Sequence, residues 1–364
     1  MKRVLSVVGA RPNFMKVAPI HRAFEPYRES VVHEIVHTGQ HYGAAMSDAF
    51  FSDLDMPEPA HFLGVGSGSH AEQTGKIMVG FETVCRTSKP DYVIVVGDVN
   101  STIACALTSV KMGIRTAHVE AGLRSFDRAM PEEINRLATD AICDDLFVTE
   151  ESGRMHLLRE GVPADRIHFV GNTMIDSVHY ALPKARQSDV LERLELHPSS
   201  YALVTLHRPS NVDDPKQLRM LLDVLVEISR RITVVFPVHP RTNANIAALI
   251  APTDLPDRIK FVDPVGYVDF LALMQGSAFV LTDSGGIQEE TTALAVPCIT
   301  ARTTTERPVT AEIGSNMLVP PTAHGILEAV TSVLDGRIRK SQVPPLWDGQ
   351  AAHRIASIIT SQCL

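Results

Sequence analysis

Six short segments concentrate side chains that can move protons or hold anions. Gly9-Ala10-Arg11-Pro12, with Lys16 one turn further on, puts two cations beside a glycine. Gly97-Asp98-Val99-Asn100-Ser101-Thr102 and His118-Val119-Glu120-Ala121-Gly122-Leu123-Arg124 offer carboxylates next to glycines. Leu206-His207-Arg208-Pro209, Pro237-Val238-His239-Pro240-Arg241 and Asp283-Ser284-Gly285-Gly286 follow in the second half. A purely structural loop usually carries one Gly or Pro and ordinary polar residues, so six such segments point to a site. Asp98, Glu120 and Glu132 form one wall of carboxylates, and Arg11, Lys16, His207 and Arg208 supply the basic groups. Carboxylates beside bases suit proton transfer, and cations suit a phosphorylated leaving group.

Asp283-Ser284-Gly285-Gly286-Ile287-Gln288-Glu289-Glu290 is the sharpest of these motifs. It reads as a strand end, a tight turn and a helix start, where free backbone N–H groups and the positive helix end make a phosphate seat. Ser284 adds a hydroxyl, and Glu290 on the same helix can accept hydrogen bonds from a ribose. The plainer reading is an N-cap by Asp283 or Ser284, worth about 1 kcal/mol, but a cap does not need both glycines. A nucleophilic Ser284 lacks the G-x-S-x-G spacing.

Two other motifs do not carry their usual chemistry. His33-Glu34-Ile35-Val36-His37 matches H-E-x-x-H, which binds zinc only on a helix. Residues 31–38 are β-branched and read as a strand, where the two histidines would stand about 13 Å apart. Gly64-Val65-Gly66-Ser67-Gly68 resembles a dinucleotide loop, but it follows no clear strand and reads as a flexible loop near the site. No motif calls for a metal or a nicotinamide.

The elements that must position these groups are short apolar runs alternating with helical patterns. Runs at 4–8, 92–96, 115–119, 146–149 and 167–170, mostly closed by Gly or Asp, read as strands buried on both faces. Helical patterns lie at 15–24, 72–87, 101–112, 132–141 and 150–160. The alternation restarts with strands at 202–206, 233–236, 259–262 and 279–282 and helices at 215–231, 242–251, 268–275 and 286–295. Repeated strand–helix–strand order means parallel sheets with right-handed crossovers. The expected fold class is therefore α/β, with two doubly wound Rossmann-like domains facing a cleft. Their expected limits are 1–172, with the C-terminal helix 349–364 packing back on it, and 173–348. In such sheets ligands bind beyond the carboxyl ends of the strands, where all six segments fall.

The 364 residues are 45% hydrophobic and 21% charged, with a formal charge of −8, and suit two globular domains. An acidic chain without a long Lys/Arg run argues against nucleic-acid and membrane-surface partners. Cys85, Cys105, Cys143, Cys298 and Cys363 form no C-x-x-C pair and suit a reducing cytosol, so a cytoplasmic location is expected. The N-terminal apolar run is too short for a signal-peptide core.

Taken together, these segments resemble the non-hydrolysing UDP-N-acetylglucosamine 2-epimerases. So do Gly39-Gln40-His41-Tyr42, Met130-Pro131-Glu132-Glu133-Ile134-Asn135-Arg136, Thr305-Glu306-Arg307-Pro308 and Asp348-Gly349-Gln350-Ala351. The resemblance runs in order from about Arg3 to the last helix. It implies a glycosyltransferase-B-like pair of domains, a homodimer, and interconversion of UDP-GlcNAc and UDP-ManNAc without an added cofactor. By that resemblance Asp98, Glu120, Glu132 and His207 are catalytic. Arg11, Lys16, Arg136, His207, Phe270, Ser284, Gly285, Gly286, Glu290 and Arg307 contact the UDP-sugar. Val99 stands where Thr is common. Tyr42 stands where the branch activated by a second UDP-GlcNAc carries arginine, so the steep activation found in that branch is expected to be lacking. The Gly-Gln-His-Tyr and Ser-Phe-Asp-Arg-x-Met-Pro-Glu-Glu forms also occur in epimerases of UDP-2,3-diacetamido-glucuronate, which keeps that substrate open. A glycosyltransferase with the same cleft, or a binding protein without catalysis, are the remaining alternatives.

Overall fold

A computed structural model of the chain describes residues 1–39, 53–250 and 255–363, with side chains except those of Arg11 and Cys363. The chain divides into two compact units. One comprises Met1–Tyr180 with Pro345–Leu364, the other Ala181–Pro344.

The first unit is built on seven parallel strands: β1 (Lys2–Val8), β2 (Val31–His37), β3 (His61–Phe62), β4 (Tyr92–Val96), β5 (Arg115–Ala121), β6 (Asp145–Val148) and β7 (Ile167–Phe169). Their order is β3-β2-β1-β4-β5-β6-β7. Strands such as Tyr-Val-Ile-Val-Val in β4 are wholly buried because helices cover both faces. The core joins Leu5, Val7, Val93 and Val95 to Ile77, Phe81 and Ala104 from the crossover helices. The order reverses between β1 and β4, so their carboxyl ends border the crevice where doubly wound sheets bind ligands.

The second unit repeats this plan with six strands: β8 (Tyr201–Thr205), β9 (Thr233–Pro237), β10 (Ile259–Val262), β11 (Phe279–Thr282), β12 (Cys298–Ala301) and β13 (Asn316–Val319). Their order, β10-β9-β8-β11-β12-β13, puts its reversal between β8 and β11. Leu203, Val204 and Val234 are fully buried, and Leu218, Leu221, Leu222 and Leu225 of the helix Pro215–Ser229 join the core.

After the second unit the chain returns to the first. Trp347 is buried there and donates its indole N–H to the Thr149 carbonyl at 3.0 Å. The buried Asp176 carboxylate accepts from the Ala351 and Ala352 N–H groups at 3.2 and 2.7 Å, capping the helix Ala351–Cys363. Burial pushes the Asp176 carboxyl up, because these two backbone hydrogen bonds only partly offset desolvation.

Several elements depart from the sequence reading. The first helix starts at Arg11, not at residue 15, because Pro12 sits in its first turn, where no N–H is needed. β5 runs on through Glu120 to Ala121 instead of ending at residue 119. The glycine loop 64–68 does follow a strand, the two-residue β3. That loop is tied down: Val65 and Gly66 donate to the Thr38 and Gly39 carbonyls, and Gln73 donates to the Gly66 carbonyl. Among the described residues no helix is long and apolar enough to cross a membrane. Cys85, Cys105, Cys143 and Cys298 are free and buried, and burial pushes the Cys85 and Cys298 thiols up to about 11.

Candidate active site

In the first unit the switch point gathers four of the expected residues, Lys16, Asp98, Glu120 and Arg136. Gly97 ends β4 with φ 68°, a left-handed turn that favours glycine. Beneath it the Asn13 amide donates to the Val96 carbonyl at 3.1 Å and accepts from the Gly9 and Ala10 N–H groups, locking the two loops together. Lys16 pairs with Glu120, both buried. Glu120 has φ 77° at a register shift between β5 and β6. A side chain held in that region stores about 1–3 kcal/mol of strain, which packing must maintain.

Asp98 follows Gly97. Its carboxylate accepts from Arg136 at 2.5 Å, and its backbone carbonyl accepts from the Asn135 amide at 2.8 Å. Arg136 is itself fixed by Glu133 at 2.6 Å. Glu133 also accepts from the Ser125 N–H and hydroxyl and the Phe126 N–H. Burial opposes the ionised form of Glu133, yet these donors hold its carboxyl below the usual range. Glu133 is thus the structural member of the pair, clamping the loop 125–126 to the helix Pro131–Ile142, whereas Glu132 is exposed on that helix's first turn.

The turn is braced from below by His118. One ring nitrogen lies 2.8 Å from the Gly97 carbonyl and the other 2.6 Å from Asp140. Asp140 also accepts from the Gly122 N–H at 3.0 Å and pairs with Arg124 at 2.7 Å. Desolvation raises the Asp140 carboxyl, but His118 and Arg124 outweigh it and leave the net shift downward. His118 carries no role that its sequence motif announces, and nothing local marks Asp140 as its partner.

In the second unit Asp283 organises the switch point. It is fully buried and accepts from the His207 N–H at 3.1 Å, the Arg208 N–H at 3.0 Å and the Asn211 amide at 2.9 Å. Its carboxylate also lies 2.9 Å from His207 Nδ1. Burial disfavours the charge, but these partners prevail and depress the carboxyl pKa. With Nδ1 so engaged, the imidazole of exposed His207 is oriented and presents Nε2 outward.

The helix Gly285–Ala293 starts without a side-chain cap, since Asp283 turns back to the His207 loop and Ser284 makes no capping hydrogen bond. The plain N-cap reading therefore fails, and a helix start left uncapped can hold an anion on its first-turn N–H groups. The adjacent glycine has a steric reason. A Cβ on Gly285 would lie 2.7 Å from Arg307 Nη1 and 2.9 Å from Glu306. Arg307 is held by Glu306 at 2.6 Å and Glu289 at 2.9 Å. Glu306 also bridges to Arg302 at 3.0 Å. Burial works against the Glu306 charge, but Arg307 and Arg302 hold the carboxyl far below the usual range. Burial, and then the neighbouring Glu290 carboxylate, pushes the Tyr267 hydroxyl well above its ordinary value. Phe270 lies one turn beyond Tyr267 on the same helix and is partly exposed.

The first unit thus groups Lys16, Asp98, Glu120 and Arg136. The second groups His207, Ser284, Gly285, Gly286 and Arg307, with Glu290 further along the helix Gly285–Ala293. Arg11 opens its helix, but its side chain lies outside the described residues, as does the Gln40-His41-Tyr42 loop. Among the described residues no group of three or more His, Cys, Asp or Glu is arranged to hold a metal ion.

The UDP-N-acetylglucosamine 2-epimerase of Methanocaldococcus jannaschii is 40% identical over 361 residues, 97% of this chain and 98% of that one. Its crystal structure in complex with UDP-GlcNAc and UDP superposes with a TM-score of 0.90 at 41% identity, covering 99% of this chain and 100% of that one. The UDP-2,3-diacetamido-2,3-dideoxy-D-glucuronate 2-epimerase of Pseudomonas aeruginosa is 38% identical, covering 98% of this chain and 99% of that one. A lipopolysaccharide outer core galactosyltransferase shares the fold alone, at a TM-score of 0.58 and 14% identity over the whole of both chains, so the architecture is glycosyltransferase-B-like. The family profile described as UDP-N-acetylglucosamine 2-epimerase matches residues 26–360, and with the full-length identity above this chain belongs to that family of UDP-sugar 2-epimerases.

Proposed function

We propose that this chain interconverts UDP-GlcNAc and UDP-ManNAc by eliminating UDP and adding it back. Carbon two of the sugar has no adjacent carbonyl, so its proton cannot leave alone. In the elimination that proton passes to an enzyme carboxylate, the C–H electron pair becomes the C1–C2 double bond, and the C1–O pair leaves with UDP. Re-addition of UDP with protonation of the opposite face gives the epimer. The carrying observation is that carboxylates and an uncapped helix start lie at the two sheets' switch points. Asp98, Glu120 and Glu132 are the acid/base groups, with His207 oriented by Asp283. Ser284, Gly285, Gly286, Arg307, Glu290 and Phe270 hold UDP, with Arg11 as a further cation. Arg136 holds Asp98.

A second reading, epimerisation of UDP-2,3-diacetamido-glucuronate, is supported by the Pseudomonas aeruginosa relative and by Tyr42 and the Ser125-Phe126-Asp127 motif. Purified protein is incubated with each sugar in heavy water, without added metal or nicotinamide, and followed by NMR. Deuterium at carbon two together with the epimer supports the mechanism, and the faster sugar names the substrate. Sugar transfer to an acceptor, or binding without exchange, would overturn it. The same preparation run on size exclusion with light scattering tests the homodimer.

A further inference from the structure

Ser284 and Arg307 come from different loops of the second unit, and the backbone of each is held at both ends. Ser284 donates its N–H to the Thr282 hydroxyl at 3.0 Å, and its carbonyl accepts from the Gln288 amide at 3.1 Å. Arg307 precedes Pro308, which keeps it out of the helical region, at φ −125° and ψ 62°. Its N–H goes to the Thr305 hydroxyl at 3.1 Å, and its carbonyl accepts from the Thr310 hydroxyl at 2.8 Å. The two threonines lead to one place. Thr305 donates to Gln288 Oε1 at 2.8 Å, while Asn316 Nδ2 donates to the same oxygen at 3.0 Å and to the Thr310 hydroxyl at 3.2 Å. The Thr300 hydroxyl of β12 closes the set on Asn316 Oδ1 at 2.6 Å. The partners set the orientation of both amides. A carbonyl faces Gln288 Nε2, so that end must donate, and Asn316 must then turn its own NH2 toward Gln288 Oε1. Gln288 is fully buried and Asn316 is 4% exposed, so neither is placed to touch a ligand. A buried polar network with its groups satisfied rigidifies what it joins.

We propose that Gln288 and Asn316 act as one buried positioning pair for the diphosphate seat. Through Ser284 they fix the start of the helix Gly285–Ala293, and through Thr305 and Thr310 they fix the backbone that carries the Arg307 guanidinium. Glu306 and Glu289 hold the guanidinium itself, and the amide pair holds the chain beneath it. The seat's backbone N–H groups and its cation thus keep one separation, and no reorganisation is needed as charge builds on the leaving group. The proposal rests on the reading of the chain as a UDP-sugar 2-epimerase.

The test compares UDP with uridine, which lacks the phosphates, on the whole chain: UDP by calorimetry and uridine by NMR titration. Gln288→Glu keeps the shape but turns the donor that faces the Ser284 carbonyl into an acceptor. It is expected to weaken UDP at least about tenfold and to leave uridine within about twofold. UDP affinity within about threefold of the unmutated chain overturns the proposal. So does an equal loss for UDP and uridine, which would mean a general loosening of the unit. Thr305→Val cuts the link to Arg307 alone. It is expected to weaken UDP about fivefold, but by less than about twofold when added to Arg307→Met, because the group it positions is already gone. Losses that multiply overturn the link. Thr305 is partly exposed, so this variant decides should Gln288→Glu fail to fold. If the unmutated chain binds UDP no better than uridine, the functional reading and the proposal fall together. If it binds UDP but turns over neither UDP-sugar, the functional reading falls alone, and the comparison of UDP with uridine still decides the proposal.

Discussion

Asp283 collects its hydrogen bonds from one loop, and that makes it the most exposing residue to test. Asp283→Asn keeps the volume but turns one acceptor into a donor that faces other donors. The expected result is a stability loss of about 1–3 kcal/mol by chemical denaturation and a kcat lowered about 100-fold, because His207 loses its fixed orientation. Normal turnover in this variant would remove Asp283 from the account of the site. Gly285→Ala is a test of steric fit. Its methyl would meet Arg307 and Glu306, so UDP affinity is expected to fall by about tenfold. The unfolding midpoint should hold, since Ala favours the helix; unchanged affinity would show that Arg307 has room to move. Asp98→Asn, Glu120→Gln and Glu132→Gln are each expected to lower turnover at least about 100-fold with UDP binding retained. Near-normal rates in two of the three would displace the proposed acid/base set.

At the scale of elements, β1, β2 and the helix Arg11–Ala23 enclose a histidine pair. His21 Nδ1 and His33 Nδ1 lie 2.8 Å apart, His33 Nε2 lies 2.8 Å from the Ser6 hydroxyl, and Phe24 stacks on the His33 ring. Burial, and then the neighbouring His21, lowers the His33 pKa from 6.5 to about 3. The unfolded chain therefore takes up a proton that the folded chain refuses. The stability associated with neutral His33 is present above pH 6.5 and drains away as pH falls toward 3. Thermal midpoints at pH 7.5 and 5.5 should differ, and His33→Gln should shrink that difference; an equal drop in both proteins would assign the acid sensitivity elsewhere. This same region shows what was legible beforehand. The β-branched run around His33 excluded the zinc helix, and β2 indeed spans Val31–His37. Strands closed by Gly or Asp were readable because buried parallel strands are uniformly apolar. β12 and β13 were not, since Cys-Ile-Thr-Ala and Asn-Met-Leu-Val mix polar with apolar residues and carry little pattern of their own. The six loops were legible from residue type, because chemistry needs particular side chains. Their partners were not. Nothing near Glu120 in sequence announces its left-handed backbone, and the links from Asp140 to His118, Asp283 to His207 and Glu306 to Arg302 exist only through folding.

For the whole molecule, the same strand order occurs in both units, yet only the first takes back the C-terminus. Ala351, Ile355, Ala356 and Ile359 are completely buried there. Removing residues 345–364 should therefore lower hydrogen-exchange protection in β1, β6 and the helix Thr173–Ala185 while sparing β8, β9 and β11. Equal loss in both units would show that the returning segment is not confined to the first. That segment has an optical consequence as well. Trp347 is the sequence's one tryptophan, sealed against Thr149 in the first unit. Light absorbed at the red edge of the near-ultraviolet band thus excites a single chromophore, and the second unit is dark to it. Emission shifts toward longer wavelength when water reaches the indole, so a denaturant titration followed by fluorescence times the detachment of the returning segment. Far-ultraviolet dichroism of the same samples follows the helices of both units, and two non-coincident curves would mean that the units melt separately.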